Sequence, residues 1–185
     1  MTRGRRPEPN PKARRVPTLV FPDAILERTE HWIAIDKPAG LPSRPAPGYG
    51  SSALRQLEEY LAAAEPTAPR PGVVHRLDIG TSGVLLFSLG PEGHRALCES
   101  WRQRAVRKQY CALVLGALRP KRGRIDLPLE RNASGKIVVA RGGQPSSTRY
   151  ETLATKGPLS LVLLEPLTGR THQIRVHLAA RGAPV

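Results

Sequence analysis

Apolar residues along the chain fall mostly into short β-branched runs broken by glycine and proline. Trp32-Ile-Ala-Ile35 reads as a strand, followed by the turn-rich Asp36-Lys-Pro-Ala-Gly-Leu-Pro-Ser43. Ser51 or Ser52 can cap a helix whose apolar side is Leu54, Leu57 and Leu61. Val73-Val74 and Val84-Leu-Leu-Phe87 are runs of the buried-strand kind, and they flank a polar segment, His75 to Gly83. A second helix is predicted from Glu92 to Ala105, with Leu97, Trp101 and Ala105 on one side. Then come β-rich segments at Tyr110–Leu115, Ile125–Leu129, Ile137–Ala140, Thr148–Leu153 and Leu159–Leu164. Gly116, Pro120, Gly123, Gly135, Gly142-Gly143 and Gly157-Pro158 separate them. A last helix is predicted from Thr171 to Ala180, ended by Gly182 at C′. Strands with irregularly interspersed helices predict an α+β fold rather than a doubly wound parallel sheet.

Two polar clusters interrupt this pattern. The segment between the paired runs holds His75, Arg76, Asp78, Thr81 and Ser82, closed by Gly80 and Gly83. A tight loop between two strands is a rigid way to present a carboxylate. Near the end, Thr168-Gly-Arg-Thr-His-Gln-Ile-Arg-Val-His177 supplies the cations that such a carboxylate needs.

Charge narrows the partner. Lys and Arg number 29 against 15 Asp and Glu, a net +14, which favours a polyanion, most often nucleic acid. With aromatic residues at 4%, a platform that stacks bases along a single strand is disfavoured. Residues 1–18 carry six cations, Arg3, Arg5, Arg6, Lys12, Arg14 and Arg15, against Glu8, with four prolines and no periodicity. They read as a disordered basic arm, either a phosphate-contacting arm or a solvated leader. Cys98 and Cys111 show no CxxC pattern and read as reduced thiols of a cytoplasmic protein. The sequence contains no apolar run approaching the ~20 residues that span a bilayer. Asn132-Ala-Ser134 matches a glycosylation sequon by chance.

At this point the residues resemble a family. His75-Arg-Leu-Asp78-Ile-Gly-Thr-Ser-Gly-Val-Leu-Leu is similar to the signature of RNA pseudouridine synthases of the RluA type. Asp36-Lys-Pro-Ala-Gly-Leu-Pro, Lys108-Gln-Tyr110-Cys-Ala-Leu-Val-Leu-Gly116 and Leu167-Thr-Gly-Arg-Thr-His-Gln-Ile-Arg175-Val-His-Leu follow in that family's order. The resemblance covers roughly residues 20–185 and implies a central, mostly antiparallel mixed sheet with flanking helices. It implies isomerisation of uridine to pseudouridine in ribosomal or transfer RNA, without metal or cofactor, by a monomer. Asp78 is then the catalytic carboxylate, as nucleophile or as base. Arg175 is its cationic partner, and Tyr110 stacks on the target base. Arg76 and Arg170 are the expected RNA contacts, with loop support as the alternative for Arg76. The uridine must leave its stack to reach such a site. Residues 19–185 would be the catalytic domain. Family members usually continue past the last helix, so the sequence reads as a minimal form or as one truncated at its C-terminus.

Two rival classes deserve comparison. A non-catalytic RNA-binding protein on the same fold would keep the basic surface without needing Asp78, Tyr110 and Arg175 together. A metal-dependent nuclease would need a ligand set. His172 and His177 lie about 140° apart on a helix, at ~100° per residue, and so cannot hold one ion from one face.

Overall fold

The structure is a computed structural model that describes residues 13–185, and these form two compact units meeting in sequence at Gln103 and Arg104. The expected α+β class is present, and its strands form two four-stranded sheets and a two-stranded one. Every pairing between named strands is antiparallel.

In the first unit the strands are β1 (Ile25–Arg28), β2 (Trp32–Lys37), β3 (Pro71–Val73) and β4 (Gly83–Leu89), in the order β1-β2-β4-β3. Strand β2 lies in the interior of the sheet and is buried from Ile33 to Ile35. Ile33, Ile35, Leu85 and Phe87 are fully buried. Helix α1 (Ala53–Ala64) starts at the N-cap Ser52, whose hydroxyl accepts from Arg55 N–H, and it buries Leu57 and Leu61. Helix α2 spans Gly90–Arg102, shorter than the predicted Glu92–Ala105. Arg104 takes a left-handed conformation at φ 57°, which ends the helix before Ala105 can join the apolar side.

Of the expected arm over 1–18, the structure describes residues 13–18. Residues 1–12 lie outside the described residues. From Arg14 the chain is held by backbone hydrogen bonds: Arg14 N–H donates to Gly48 at 2.8 Å and Gly50 N–H to Arg14 at 3.1 Å. The Arg14 guanidinium lies 5.7 Å from the Tyr49 ring centroid. Gln56 of α1 accepts from Leu19 N–H and donates to the Pro17 carbonyl. The proline-rich composition concealed these anchors, because each partner is distant in sequence.

In the second unit the large sheet contains β5 (Tyr110–Leu115), β6 (Arg122–Asp126), β9 (Ser147–Lys156) and β10 (Leu159–Pro166), ordered β5-β10-β9-β6. Strands β7 (Leu129–Arg131) and β8 (Ile137–Val139) form a hairpin. The run predicted as one strand over Ile125–Leu129 is thus divided between β6 and β7. In the turn of that hairpin, Asn132 Oδ1 accepts from Ser134 Oγ and Lys136 N–H, so the apparent sequon is turn chemistry. One face of the large sheet meets a core of Val114, Ile125, Tyr150, Val162, Leu164 and Leu178, while Leu113, Leu115, Leu159 and Leu161 are exposed. Helix α3 (Gln173–Ala180) begins two residues later than predicted and ends at Gly182, φ 74°. Gly182 N–H donates to Ala179 and Ala183 N–H to Leu178, a Schellman closure with Leu178 and Ala183 both in the core.

Candidate active site

Asp78 stands half-buried in the loop between β3 and β4, and the peptide units on both sides of it are tied down. On the N-terminal side, Ser43 Oγ donates to the Leu77 carbonyl at 2.8 Å and accepts from Leu77 N–H at 3.0 Å. One buried hydroxyl thereby satisfies both polar groups of the preceding residue. On the C-terminal side, the Ile79 carbonyl accepts from Gly40 N–H at 2.7 Å and from Lys37 Nζ at 3.4 Å. Thr81 N–H closes a turn onto the Asp78 carbonyl at 3.0 Å. The turn-rich segment after β2 is therefore a clamp on the carboxylate loop.

Lys37 is the charged part of that clamp. It follows Ile33 and Ile35 at strand spacing, so the pleat turns its side chain inward, where it is fully buried. Its ammonium donates to the Pro38 carbonyl at 2.9 Å and the Leu41 carbonyl at 2.8 Å, besides Ile79. Burial pushes its pKa down to about 8, while the nearby Asp78 carboxylate acts the other way. His75 accepts from Leu86 N–H at its Nε2, 2.9 Å away, and stacks on Trp101 of α2 with ring centroids 4.9 Å apart. His75 thus anchors the loop's first turn to β4. Arg76, two residues before Asp78, is exposed.

The other expected site residues lie in the second unit. Tyr110 opens β5, opposite Leu164 of β10, and packs half-buried against the core cluster. Arg175 is an exposed residue in the first turn of α3, and Arg170 is exposed in the turn before it. The structure thus places Arg76 and Asp78 on one loop, and Arg170 and Arg175 on one turn and helix.

That turn is held by an internal polar network. Gln173 Oε1 accepts from Arg170 N–H at 3.0 Å and Thr168 Oγ1 at 2.7 Å. Its Nε2 donates to the Ser147 carbonyl and Thr148 Oγ1, each at 3.0 Å. His177, one turn further along, completes the set. A carbonyl can only accept, so the 3.1 Å contact with Leu127 O puts the proton on Nε2, leaving Nδ1 to accept from Thr148 Oγ1 at 3.0 Å. Burial pushes the His177 pKa down, against the Leu127 carbonyl and the Asp126 carboxylate, which favour the imidazolium. His172 is the exposed N-cap of α3, in a left-handed conformation at φ 54° outside the helix proper, so the angular spacing expected for a shared helix does not apply to it. His177 is buried. Among the described residues no group of three or more His, Cys, Asp or Glu is placed to hold a metal ion. None of their helices is long and apolar enough to cross a membrane.

Lys37, Ser43, Gln173 and His177 were not singled out as site-supporting residues from the sequence. For Lys37 the signal was its phase with Ile33 and Ile35. Gln173 and His177 share an i, i+4 spacing with Leu178 adjoining, the mark of a polar pair on a buried face.

The α+β fold thus presents a carboxylate on a clamped loop in the first unit, and arginines on a turn and helix in the second. The family model for RNA pseudouridylate synthase matches residues 31–180, and the chain belongs to that family. It is 39% identical over 168 residues to the dual-specificity RNA pseudouridine synthase RluA of Pasteurella multocida, covering 87% of this chain and 73% of that protein. To the ribosomal large subunit pseudouridine synthase D of Nitrosomonas europaea it is 39% identical, over 89% of this chain and 48% of that one. The chain thus spans about half the length of the latter. Among solved structures, human RNA pseudouridylate synthase domain containing 4 is similar at a TM-score of 0.75 and 28% identity, covering 88% of this chain and 66% of that one.

Proposed function

We propose that this protein isomerises uridine to pseudouridine in structured ribosomal or transfer RNA, with Asp78 as the catalytic carboxylate. The observation that carries the reading is the clamp: both residues flanking Asp78, Leu77 and Ile79, are hydrogen-bonded through their backbones to the 37–43 segment. Such fixing suits a group whose position relative to a ribose and a base must be held closely.

The reaction breaks the bond from ribose C1′ to N1 of uracil, turns the base, and joins C1′ to C5. The proton on C5 leaves, and N1 gains one, so atoms balance without an oxidant or reductant. An ionised carboxylate serves as nucleophile or as base. Tyr110 and Arg175 support the reaction, and Arg76 and Arg170 contact the RNA. The active form is a cytoplasmic monomer that needs no metal or cofactor. Residues 19–185 carry the activity, and residues 1–18 precede them as a basic arm.

The test is release of tritium from C5 of uridine in transcribed ribosomal and transfer RNA, run with a chelator present. The native protein should release it. Asp78→Asn and Asp78→Ala should slow release by about 10²–10⁴-fold. A wild-type rate in either variant removes Asp78 from the chemistry.

A further inference from the structure

A cleft of about 450 Å³ lies in the second unit, between the β7–β8 hairpin, the 142–144 loop and the 169–171 turn. Its size falls in the range of about 300–1,000 Å³ usual for small-ligand sites. Arg131 and Arg170 line it, and Glu130 is the one acidic side chain on its wall.

The walls are built rather than incidental. Gln144 pairs with Leu129 through backbone hydrogen bonds in both directions, at 2.8 and 3.0 Å. A Cβ on Gly143 would stand 2.6 Å from the Leu129 carbonyl carbon, so only glycine lets the loop approach β7 this closely. Arg131 Nη1 donates to the Gly135 carbonyl at 2.6 Å, which pins the side chain along its own hairpin. A guanidinium has five N–H donors, so this bond leaves donors for a ligand. Gln173 fixes the backbone of Arg170 through the network described above. Lys108 adds charge nearby: its Nζ lies 4.0 Å from the position of a Cβ on Gly169.

We infer that this cleft binds a nucleotide of the RNA flanking the target uridine, with its phosphate held by Arg131 and Arg170. The inference rests on the reading of RNA as substrate. Contacts to phosphate position the RNA rather than read its bases, so this site holds the backbone without regard to sequence.

Two variants separate charge from occupancy. Arg131→Gln removes one cation. Gly142→Trp keeps all charges and adds bulk at a residue that lines the cleft, where a Cβ meets nothing within 4 Å. Binding of a fluorescein-labelled, uridine-containing RNA stem-loop is measured by anisotropy over a range of salt, with circular dichroism to show that both variants are folded. Arg131→Gln should weaken binding about tenfold, the scale of one charge-assisted contact, and reduce the slope of log affinity on log salt by about 0.7–0.9. Gly142→Trp should weaken binding comparably without changing the slope. In tritium release the loss should fall on KM rather than kcat. Normal binding by Gly142→Trp shows the cleft empty in the complex and overturns the inference, as does an unchanged slope for Arg131→Gln. Weakened binding by both variants, from a parent that releases no tritium, sustains the cleft and sinks the isomerase reading instead.

Discussion

Lys37 in the first unit and His177 in the second are both fully buried, and both belong to hydrogen-bond sets that secure a polar loop. They differ in charge. Lys37 places an ammonium among three carbonyls, next to the Asp78 loop. His177 works as a neutral imidazole with Thr148, Ser146 and the Leu127 carbonyl, and Thr148 links it to Gln173. A cation bonded to carbonyls imposes few directional demands, because all its donors are equivalent and rotate. A neutral ring must present one donor and one acceptor, so it specifies the direction of every bond around it. The loop with the carboxylate has the charged anchor, and the turn with the arginines has the neutral one. Each anchor is thus matched to the sign beside it.

Three variants break or sharpen this contrast. The largest effect is expected for Lys37→Met, which leaves the Pro38 and Leu41 carbonyls without the Lys37 donor and the Ile79 carbonyl with Gly40 N–H alone. Urea unfolding should show a loss of about 2–3 kcal/mol, with turnover falling too as the Asp78 loop loosens. The folded pKa of Lys37, about 8, lies below its ordinary 10.5, so the unfolded chain binds more protons between these values. Stability owed to this group therefore rises with pH across that window, and the deficit of the variant should widen from pH 8 to 10.5. A constant deficit would mean that burial does not lower the pKa of Lys37.

His177→Leu comes second, at about 1–2 kcal/mol at neutral pH, because Thr148 and Ser146 each lose one of their partners. Burial holds the folded pKa of His177 below its ordinary 6.5, so protons again prefer the unfolded chain. Native stability should fall as the pH drops below 6.5, while the variant lacks this loss; its deficit then narrows in acid. Parallel curves for the two proteins from pH 7 to 5 would remove the neutral-imidazole account.

Ser43→Ala should have the smallest effect, about 1 kcal/mol, since it orphans one N–H and one carbonyl of Leu77 without touching a charge. Its deficit should not depend on pH between 5 and 10. If this variant retained full turnover while Lys37→Met lost it, the charged half of the clamp alone would position Asp78.

Much of this architecture was legible in the chain. The strand Tyr110–Leu115 lies where its apolar run predicts, and Ser52 caps α1. Gly182 closes α3 as a C′ residue. These features depend on side-chain alternation, a cap and a positive φ, all of which act over a few residues. The motifs around Asp78, Tyr110 and Arg175 were legible as a family resemblance. The reason for the 36–43 block was not, because a proline- and glycine-rich stretch declares a turn without declaring what the turn holds.

The sequence by itself determined the α+β class, most element positions, the basic character and the family. Tertiary structure alone decided which buried polar groups support the site. Ser43 meets Leu77 across 34 residues, Lys37 meets Ile79 across 42, and His177 meets Thr148 across 29. No local rule of spacing reaches so far. Whether a lysine or histidine is solvated or buried depends on the strand or helix packed over it, and burial is what obliges it to find partners.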